Sequence, residues 1–274
     1  MLSPARIEIA EGKPPPITLA GWLRFAARVT LLVLLLILLV PIHYIWRLLA
    51  FGSPWPKLFL RGVTRICGAR MVVRGTPLRR DVFYIANHVS WLDIAAMGGA
   101  SGTAFVSKAE LADAPLVGWL ARINRTVFVK REDKMNVAEQ INDLREALLD
   151  NWSVTVFPEG TTTDGQSLLP FKSSMLKVLE PPPPGVLVQP VHLDYGDAAE
   201  DLGWVGVETG VNNALRILSR SGTFDLTVNF LDPFSPADFP GRKAIAAEAR
   251  VRIETALLNS LGKPLRPFTA HSAP

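Results

Sequence analysis

An apolar run near the amino terminus constrains this chain more than any other feature. Residues 29–42 read VTLLVLLLILLVPI and contain no charged side chain. Spanning a bilayer takes about 20 apolar residues, so this run is short by itself, although the aliphatic stem of Arg28 could extend it by snorkelling. We expect residues 1–68 to contain a membrane-anchoring helical segment, either spanning or re-entrant.

Two other interpretations of the run remain. A signal peptide is weakened by the late start of the run and by the lack of a small-x-small cleavage site before Trp46. A buried core helix is the least favoured, because the run is unbroken and rich in leucine. Arg24 and Arg47 place positive charge on both flanks, so the positive-inside rule gives no orientation. A hairpin dipping into one leaflet would leave both flanks on the same side.

The next segment, 55–66, has two periodic faces. A helix with an apolar face and a basic face can lie in the interface of an anionic membrane. An ordinary surface helix that packs its apolar face on the domain fits the pattern equally well. The apolar residues recur at three- and four-residue spacing and the basic residues at every fourth position: Trp55, Leu58, Phe59, Gly62, Val63 and Ile66, then Lys57, Arg61 and Arg65.

The composition limits the kinds of partner that the protein is expected to bind. The 274 residues include 29 Lys and Arg against 25 Asp and Glu, which gives a formal charge of +4 and suits an anionic partner. The basic residues interleave with long aliphatic ones and form no nucleic-acid-binding motif, so we predict an anionic membrane surface and no nucleic acid. Cys67 is the only cysteine, which excludes an intrachain disulfide and a cysteine metal site. Its apolar setting predicts a buried, inert thiol.

Short β-rich runs alternate with helical patterns from about residue 70 onward. This alternation predicts an α/β fold with a mixed sheet layered with helices, over residues 69–262. Residues 263–274 carry prolines and few large apolar side chains, which predicts a loosely ordered tail. The candidate strands are 71–73, 82–86, 104–108, 126–130, 153–157, 187–193 and 226–230, and the candidate helices are 91–98, 114–123, 135–150, 173–180 and 241–261.

His88 and Asp93 stand where a predicted strand gives way to a helix. On a continuous helix they would point about 140° apart, so they can meet only if the chain turns between them. An aspartate that accepts a proton from one imidazole nitrogen fixes the tautomer and leaves the other nitrogen basic. Alternatively, Ser90 and Asp93 form the outline of a helix capping box, and His88 is a structural histidine.

A second polar stretch, 154–165, reads VTVFPEGTTTDG. A buried-looking strand here runs into a proline, an acid, a glycine and three hydroxyl side chains. This is either an ordinary strand ending in a polar turn or a site where a carboxylate and backbone amides at a strand's carboxyl end hold a polar ligand.

Together, NHVSWLD and FPEGTTTDG resemble the first and third sequence blocks of the lysophosphatidic acid acyltransferase family of glycerolipid acyltransferases. Asn87, His88 and Asp93 match the first block, and 157–161 match the third. The second block, an apolar strand that ends in arginine, is matched by VFVKR, whose last residue is Arg131, and VQPV resembles the fourth. All four occur in the family's order between residues 84 and 193.

The resemblance implies a membrane-bound enzyme of lipid biosynthesis that moves an acyl chain from acyl-CoA or acyl-carrier protein to the free hydroxyl of a lysolipid acceptor. His88 would be the general base and Asp93 would steady it, with no metal and no cofactor beyond the donor. It further implies location at the inner membrane with the catalytic domain on the cytoplasmic side. The residues expected to bind substrate are Asn87, Arg131, Glu159, Gly160, Thr161, Thr162 and Lys172.

One position departs from the family pattern. Thr162 stands where many members have an arginine that binds the acceptor phosphate, and losing a guanidinium removes a fork that matches phosphate well. The threonine-rich version resembles members that acylate lyso-ornithine lipid as well as some that act on lysophosphatidic acid. The expected acceptor is therefore one of these two lipids.

Two functions of other classes stay open on sequence grounds. A lipid hydrolase of the common type needs a G-x-S-x-G nucleophile elbow, and the sequence contains none. A non-catalytic membrane scaffold of the same fold is disfavoured because His88, Asp93 and Glu159 are all present.

Overall fold

The computed structural model of the chain describes residues 4–49, 53–129 and 153–267. Within these ranges it confirms the predicted mixed α/β fold. The strands are β1 (Ala69–Arg74), β2 (Val82–Ala86), β3 (Ala104–Lys108), β4 (Val127–Val129), β5 (Ser153–Val156), β6 (Leu187–Asp194) and β7 (Phe224–Phe230). The helices are α1 (Pro4–Ala10), α2 (Leu19–Leu48), α3 (Trp55–Ile66), α4 (Leu92–Ser101), α5 (Pro115–Ile123), α6 (Ala199–Leu202), α7 (Gly210–Ser219) and α8 (Arg242–Leu261).

The strands form one sheet in the order β1-β7-β6-β2-β5-β3-β4. β6, β2, β5, β3 and β4 are mutually parallel, whereas β7 runs antiparallel to β6 and parallel to β1. The central strand β2 pairs Ile85 with Val156 of β5 and with Pro190 of β6. The carboxyl ends of these three neighbouring strands therefore meet at one edge of the sheet.

Most predicted elements are confirmed. The strands at 82–86 and 104–108 have the predicted bounds, and other strand ends differ by at most two residues within the described ranges. The helix predicted over 135–150 lies outside those ranges. The helix predicted over 173–180 is instead a 3-10 helix, Ser173–Leu179. The proline run 181–184 prevents continuation, and so short a segment cannot offset the cost of nucleating an α-helix.

The central strands of the sheet are buried on both faces, as parallel strands usually are. Along β2, alternate residues point into two different apolar clusters. Val82, Tyr84 and Ala86 pack in the cluster that α3 and α4 cover. Phe83 and Ile85 pack in the cluster that α8 covers. The hydrophobic cores on the two faces therefore fix which way each side chain at the end of β2 points.

Among the described residues, α2 is the helix whose length and composition would allow it to cross a membrane. Its 30 residues extend about 45 Å. Phe25, Val29 and Leu32 pack on the core, but only 6% of the most apolar window is buried. Leu34 and Leu38 belong to a stripe of exposed large apolar side chains. The interpretation as a buried core helix is therefore wrong.

Arg28 does not snorkel as expected, because its guanidinium is used inside the protein. Its Nη1 lies 3.1, 3.0 and 2.9 Å from the carbonyl oxygens of Ile217, Leu218 and Arg220. Arg24 donates to the carbonyl of Ser219 at 2.9 Å. These carbonyls end α7, and a helix carboxyl end has unsatisfied acceptors and partial negative charge. The two arginines therefore fasten α2 to the sheet domain.

Helix α3 packs its apolar side on the domain, between α2 and α4. A Cβ on Gly99 would lie 2.9 Å from the backbone of Arg61, so this glycine allows α3 and α4 to approach closely. The side chains of Arg61 and Arg65 are exposed. The interpretation as a packed surface helix is thus confirmed, and contact with an anionic membrane stays a prediction. Cys67, just after α3, is buried as predicted, and burial raises the pKa of its thiol to about 12.

Candidate active site

The candidate site lies at the edge where β6, β2 and β5 end. Because these strands are parallel neighbours, the residues that follow them come together although they are far apart in the chain. His88 follows β2, Glu159 follows β5, and Tyr195 follows β6 directly. Crevices outside the carboxyl ends of parallel strands are where α/β folds commonly bind ligands.

His88 and Asp93 are in direct contact. The imidazole Nδ1 lies 2.7 Å from Asp93 Oδ2, which also accepts hydrogen bonds from the backbone amides of Val89 and Ser90 at 2.6 and 2.9 Å. The capping contact is thus confirmed, and the same carboxylate orients the imidazole, so a catalytic role for the pair stays a prediction. With Nδ1–H donating to a carboxylate, Nε2 is left as the basic nitrogen.

Burial differs sharply between the two partners. Asp93 is fully buried, whereas the His88 side chain is 19% exposed. The carboxylate is therefore held by protein donors alone, while the imidazole reaches the surface of the site. Phe157 stacks on the imidazole with ring centroids 4.3 Å apart and planes at 19°, which fixes the orientation of the ring from its face.

Glu159 connects the third block to the first. Its Oε1 accepts from the His88 backbone amide at 2.7 Å, and its Oε2 accepts from the Leu169 amide at 2.9 Å. The residue is 1% exposed. Burial raises the pKa of this carboxyl to about 8, against the opposing effect of the two amide hydrogen bonds. Both carboxyl oxygens thus accept hydrogen bonds from backbone amides. A direct contact of Glu159 with the acceptor head group stays a prediction.

Loops on two sides hold the peptide groups around His88. The Thr163 amide donates to the His88 carbonyl at 2.8 Å, and the Trp204 amide donates to the Val89 carbonyl at 2.9 Å. Thr162 is buried, and its hydroxyl donates to the carbonyl of Trp204. The third block therefore acts as a frame for the His88 turn as well as a candidate surface for substrate.

Asn87 is also built into this frame. Its Nδ2 donates to the Leu193 carbonyl at 3.1 Å and its Oδ1 accepts from the Leu193 amide at 2.7 Å. The buried side chain thus joins the end of β2 to the end of β6. Its predicted contact with substrate stays a prediction.

The remaining predicted residues fall in two groups. Gly160 has φ +74, which favours glycine, and a Cβ there would lie 2.6 Å from Lys172 Nζ. Lys172 is exposed and lies over this glycine, and Thr161 is half-buried beside it. These three are therefore at the site as predicted, and their binding of substrate stays a prediction. Arg131 lies outside the described residues.

Sequence reasoning missed Tyr195 and Trp204. Tyr195 contacts Asp93 and Trp204 contacts Val89, each across more than a hundred positions of sequence. Only the order of the strands in the sheet brings these residues together. The available signal was that Tyr195 is a polar residue two positions after a predicted strand. A cavity of about 790 Å³ lies between the sheet and α8 and is lined in part by His192 and Asn229. None of the predicted site residues lines it.

Comparison with known proteins agrees with the family resemblance of the sequence. A family model described as Acyltransferase matches residues 70–194. The lyso-ornithine lipid O-acyltransferase of Rhodobacter capsulatus is 34% identical to this chain, over 90% of the chain and 96% of that protein. A 1-acyl-sn-glycerol-3-phosphate acyltransferase of Neisseria gonorrhoeae is 35% identical over 35% of the chain and 38% of that protein.

The fold has a solved counterpart. The 1-acyl-sn-glycerophosphate acyltransferase of Thermotoga maritima matches with a TM-score of 0.58 and 22% identity, over 77% of this chain and 80% of that one. The family match and the relatives define an enzyme that transfers acyl groups. The chain belongs to the acyltransferase family, and its predicted assignment to the glycerolipid branch is confirmed.

Glu159 generates a testable pH dependence. Its folded-state pKa, about 8, is above the ordinary 4.5, so the folded protein binds the proton more tightly than the unfolded chain. Its contribution to stability is then full below about pH 4.5 and is lost as pH rises through about 8. We expect Glu159→Gln to abolish this part of the pH dependence. It should also destabilise the fold by about 1–3 kcal/mol, because an amide nitrogen cannot accept from a backbone N–H.

Unfolding midpoints of detergent-solubilised wild type and variant between pH 6 and 9 measure both effects. Glu180→Gln is the matched control, since Glu180 is exposed and pairs with Arg242 at 3.6 Å. An equal pH slope in wild type and Glu159→Gln would contradict the assignment.

Proposed function

We propose that this protein is a membrane-bound O-acyltransferase that esterifies the free hydroxyl of lyso-ornithine lipid with an acyl group from a thioester donor. The observation that carries the chemistry is the His88–Asp93 pair, with Nε2 free at the edge of the sheet. The relatedness to a lyso-ornithine lipid enzyme over nearly the whole chain supports the acceptor.

The mechanism follows from the orientation of the imidazole. His88 Nε2 takes the proton of the acceptor hydroxyl while the hydroxyl oxygen attacks the thioester carbonyl. The imidazolium that forms is stabilised by the buried Asp93 carboxylate at 2.7 Å. When the tetrahedral intermediate collapses, the carbon–sulfur bond breaks and the thiolate takes the proton back from His88. The products are an ester and a free thiol, and the enzyme returns to its starting state.

The donor in this proposal is acyl-CoA or acyl-carrier protein. Both present the acyl group as a thioester of the same pantetheine arm, so the reaction at His88 is identical for the two. No cofactor beyond the donor is proposed. An assay with each donor, carried out separately, decides between them.

The acceptor proposal draws on the third block. A phosphomonoester is best held by the fork of an arginine, and Thr162 replaces that arginine with a buried hydroxyl directed at the Trp204 carbonyl. Lyso-ornithine lipid has a carboxylate and an ammonium in place of a phosphate. A single cation such as the exposed Lys172 suffices for a carboxylate. Lysophosphatidic acid is the second candidate, supported by the relative in Neisseria gonorrhoeae.

Membrane attachment in the proposal relies on α2. The helix exposes an apolar stripe along its length, and Arg24 and Arg28 fasten its first turns to the domain. Burying such a stripe in lipid is favourable at roughly 25 cal/mol per Å². Because both donors are made in the cytoplasm, we place the catalytic domain on the cytoplasmic side of the inner membrane.

The catalytic pair is tested by His88→Gln and Asp93→Asn. We expect His88→Gln to lower the rate of transfer by about a hundredfold or more, because general-base catalysis contributes about 10²- to 10⁴-fold. Asp93→Asn should cause nearly as large a loss, because the imidazole of His88 is then no longer held in the tautomer that leaves Nε2 basic. His192→Gln is the matched control, because His192 is a buried histidine on β6 outside this site, and its activity should stay within severalfold of wild type.

Ester formation and thiol release are measured together in this assay. Near wild-type transfer by His88→Gln would exclude the mechanism. Thiol release without ester formation would indicate a hydrolase, and no thioester consumption by wild type would indicate a scaffold.

Acceptor preference is tested with both lysolipids and two substitutions. Wild type should use lyso-ornithine lipid in preference to lysophosphatidic acid. Thr162→Arg should shift the ratio of kcat/KM toward the phosphate acceptor by about ten- to a hundredfold, the effect of about 1.5–3 kcal/mol from a charged hydrogen bond. Thr162→Ala removes the hydroxyl without adding a cation and should leave the ratio unchanged. Efficient use of lysophosphatidic acid with rejection of lyso-ornithine lipid by wild type would overturn the acceptor proposal.

Membrane attachment is tested by flotation of the full chain with anionic phospholipid vesicles. Leu34→Glu together with Leu38→Glu places two charges on the exposed stripe of α2, one turn apart, and should shift the protein to the unbound fraction. Val211→Glu is the control, because Val211 is 69% exposed on α7. Flotation of the double variant at the wild-type level would contradict the role of α2.

A further inference from the structure

Tyr195 makes a contact that the mechanism above does not use. It follows β6 directly, is 2% exposed, and its hydroxyl donates to Asp93 Oδ1 across 102 positions of sequence. The other oxygen, Oδ2, accepts from the imidazole and from two backbone amides. The phenol therefore holds the oxygen of the carboxylate that faces away from His88.

We propose that Tyr195 is a positioning residue for acyl transfer, which sets the orientation and the charge distribution of Asp93 and acts through it on His88. The inference rests on the proposed function, since it concerns the general base of that reaction. Tyr195 is outside the four sequence blocks, and its role follows from its hydrogen bond alone.

The surroundings of the phenol suit a permanent donor. Burial, together with the charge of Asp93 and its hydrogen bond, raises the pKa of Tyr195 well above its ordinary value. The ring is stacked on Phe224, with centroids 6.2 Å apart, and belongs to the core cluster on the α4 side. The hydroxyl therefore stays protonated and directed at Asp93 across the working pH range.

The hydrogen bond has a predictable electrostatic effect. A donor on Oδ1 withdraws negative charge from the carboxylate, so less charge faces the imidazole. Removing this donor concentrates the charge on the side of His88 and stabilises the imidazolium relative to the neutral ring. The two backbone amides on Oδ2 still donate to the carboxylate when Tyr195 is replaced. Because His88 must be neutral to accept a proton, the acid limb of the pH–rate profile should then move to higher pH.

Other titratable and charged groups near this network are the same in every variant compared. The difference between two profiles therefore isolates the effect of the phenol. These groups are Glu159 after β5, Cys67 after α3, Lys172 over Gly160, and Arg250 of α8, which acts on Glu159.

The direct test is Tyr195→Phe in the full chain, with kcat and kcat/KM measured from pH 5 to 9. The ring and its packing are kept, and only the donor is lost. We expect kcat to fall about tenfold, in line with the loss of a hydrogen bond to a charged group. We also expect the acid limb of kcat/KM to shift upward. In the Asp93→Asn background, Tyr195→Phe should have little further effect, because coupled residues are not additive.

Tyr84→Phe is a closely matched control. Tyr84 is a buried tyrosine of β2 whose hydroxyl donates to the Leu78 carbonyl, away from Asp93. It should lower the unfolding midpoint without moving the acid limb. A loss of activity in Tyr195→Phe with no shift of the limb, matching Tyr84→Phe, would mean that Tyr195 is only structural and would overturn the inference. Unchanged activity and an unchanged limb would do the same.

A second variant keeps the test independent of folding defects. Fluorotyrosine incorporated at position 195 strengthens the donor instead of removing it, so the acid limb should move to lower pH. A shift in the same direction as Tyr195→Phe, or no shift, would contradict the inference. Failure of wild type to acylate any lysolipid would instead reject the proposed function, which separates the two outcomes.

Discussion

A fully buried carboxylate organises the candidate active site of this protein. An ionised group without solvent is costly unless protein donors replace the water. Asp93 receives four such donors: the imidazole Nδ1, two backbone amides of the turn and the hydroxyl of Tyr195. Meeting this requirement bends the chain after β2 into a tight turn, brings the end of β6 against it, and leaves His88 Nε2 directed outward. Helix start, tautomer and strand contact are thus consequences of the same electrostatic demand.

A second buried carboxyl group connects the backbone on the other side. Glu159 joins the amide of His88 to that of Leu169 and so ties the end of β5 to the end of β2. The two acids, with Asn87 bonded to Leu193, connect three strand ends into one rigid frame. Polar networks in a low-dielectric interior are stabilising when every member is satisfied. The frame therefore holds His88, the proposed base, with little freedom of movement.

Basic residues of the anchor show how charge is used differently from what composition implies. The net charge favoured contact with anionic lipid, yet Arg24 and Arg28 are directed at the carbonyl end of α7. A guanidinium with several donors suits a cluster of acceptors that a helix leaves unsatisfied. The long apolar helix is thereby held in a fixed relation to the sheet. In the proposed function this geometry sets where the catalytic edge lies relative to the bilayer.

The sequence by itself determined the fold class, most strand bounds, the long apolar helix and the pairing of His88 with Asp93. Each is encoded locally, in a hydrophobic period, a run of residues or a five-residue turn. It could not assign the strand order, the framing roles of Asn87 and Glu159, or the contact between Tyr195 and Asp93. These depend on partners about 70 to 110 positions away, and only the packing of parallel strands selects which distant residues meet. Tertiary structure therefore decided how the catalytic pair is supported, because a buried charge must find its donors wherever the fold provides them.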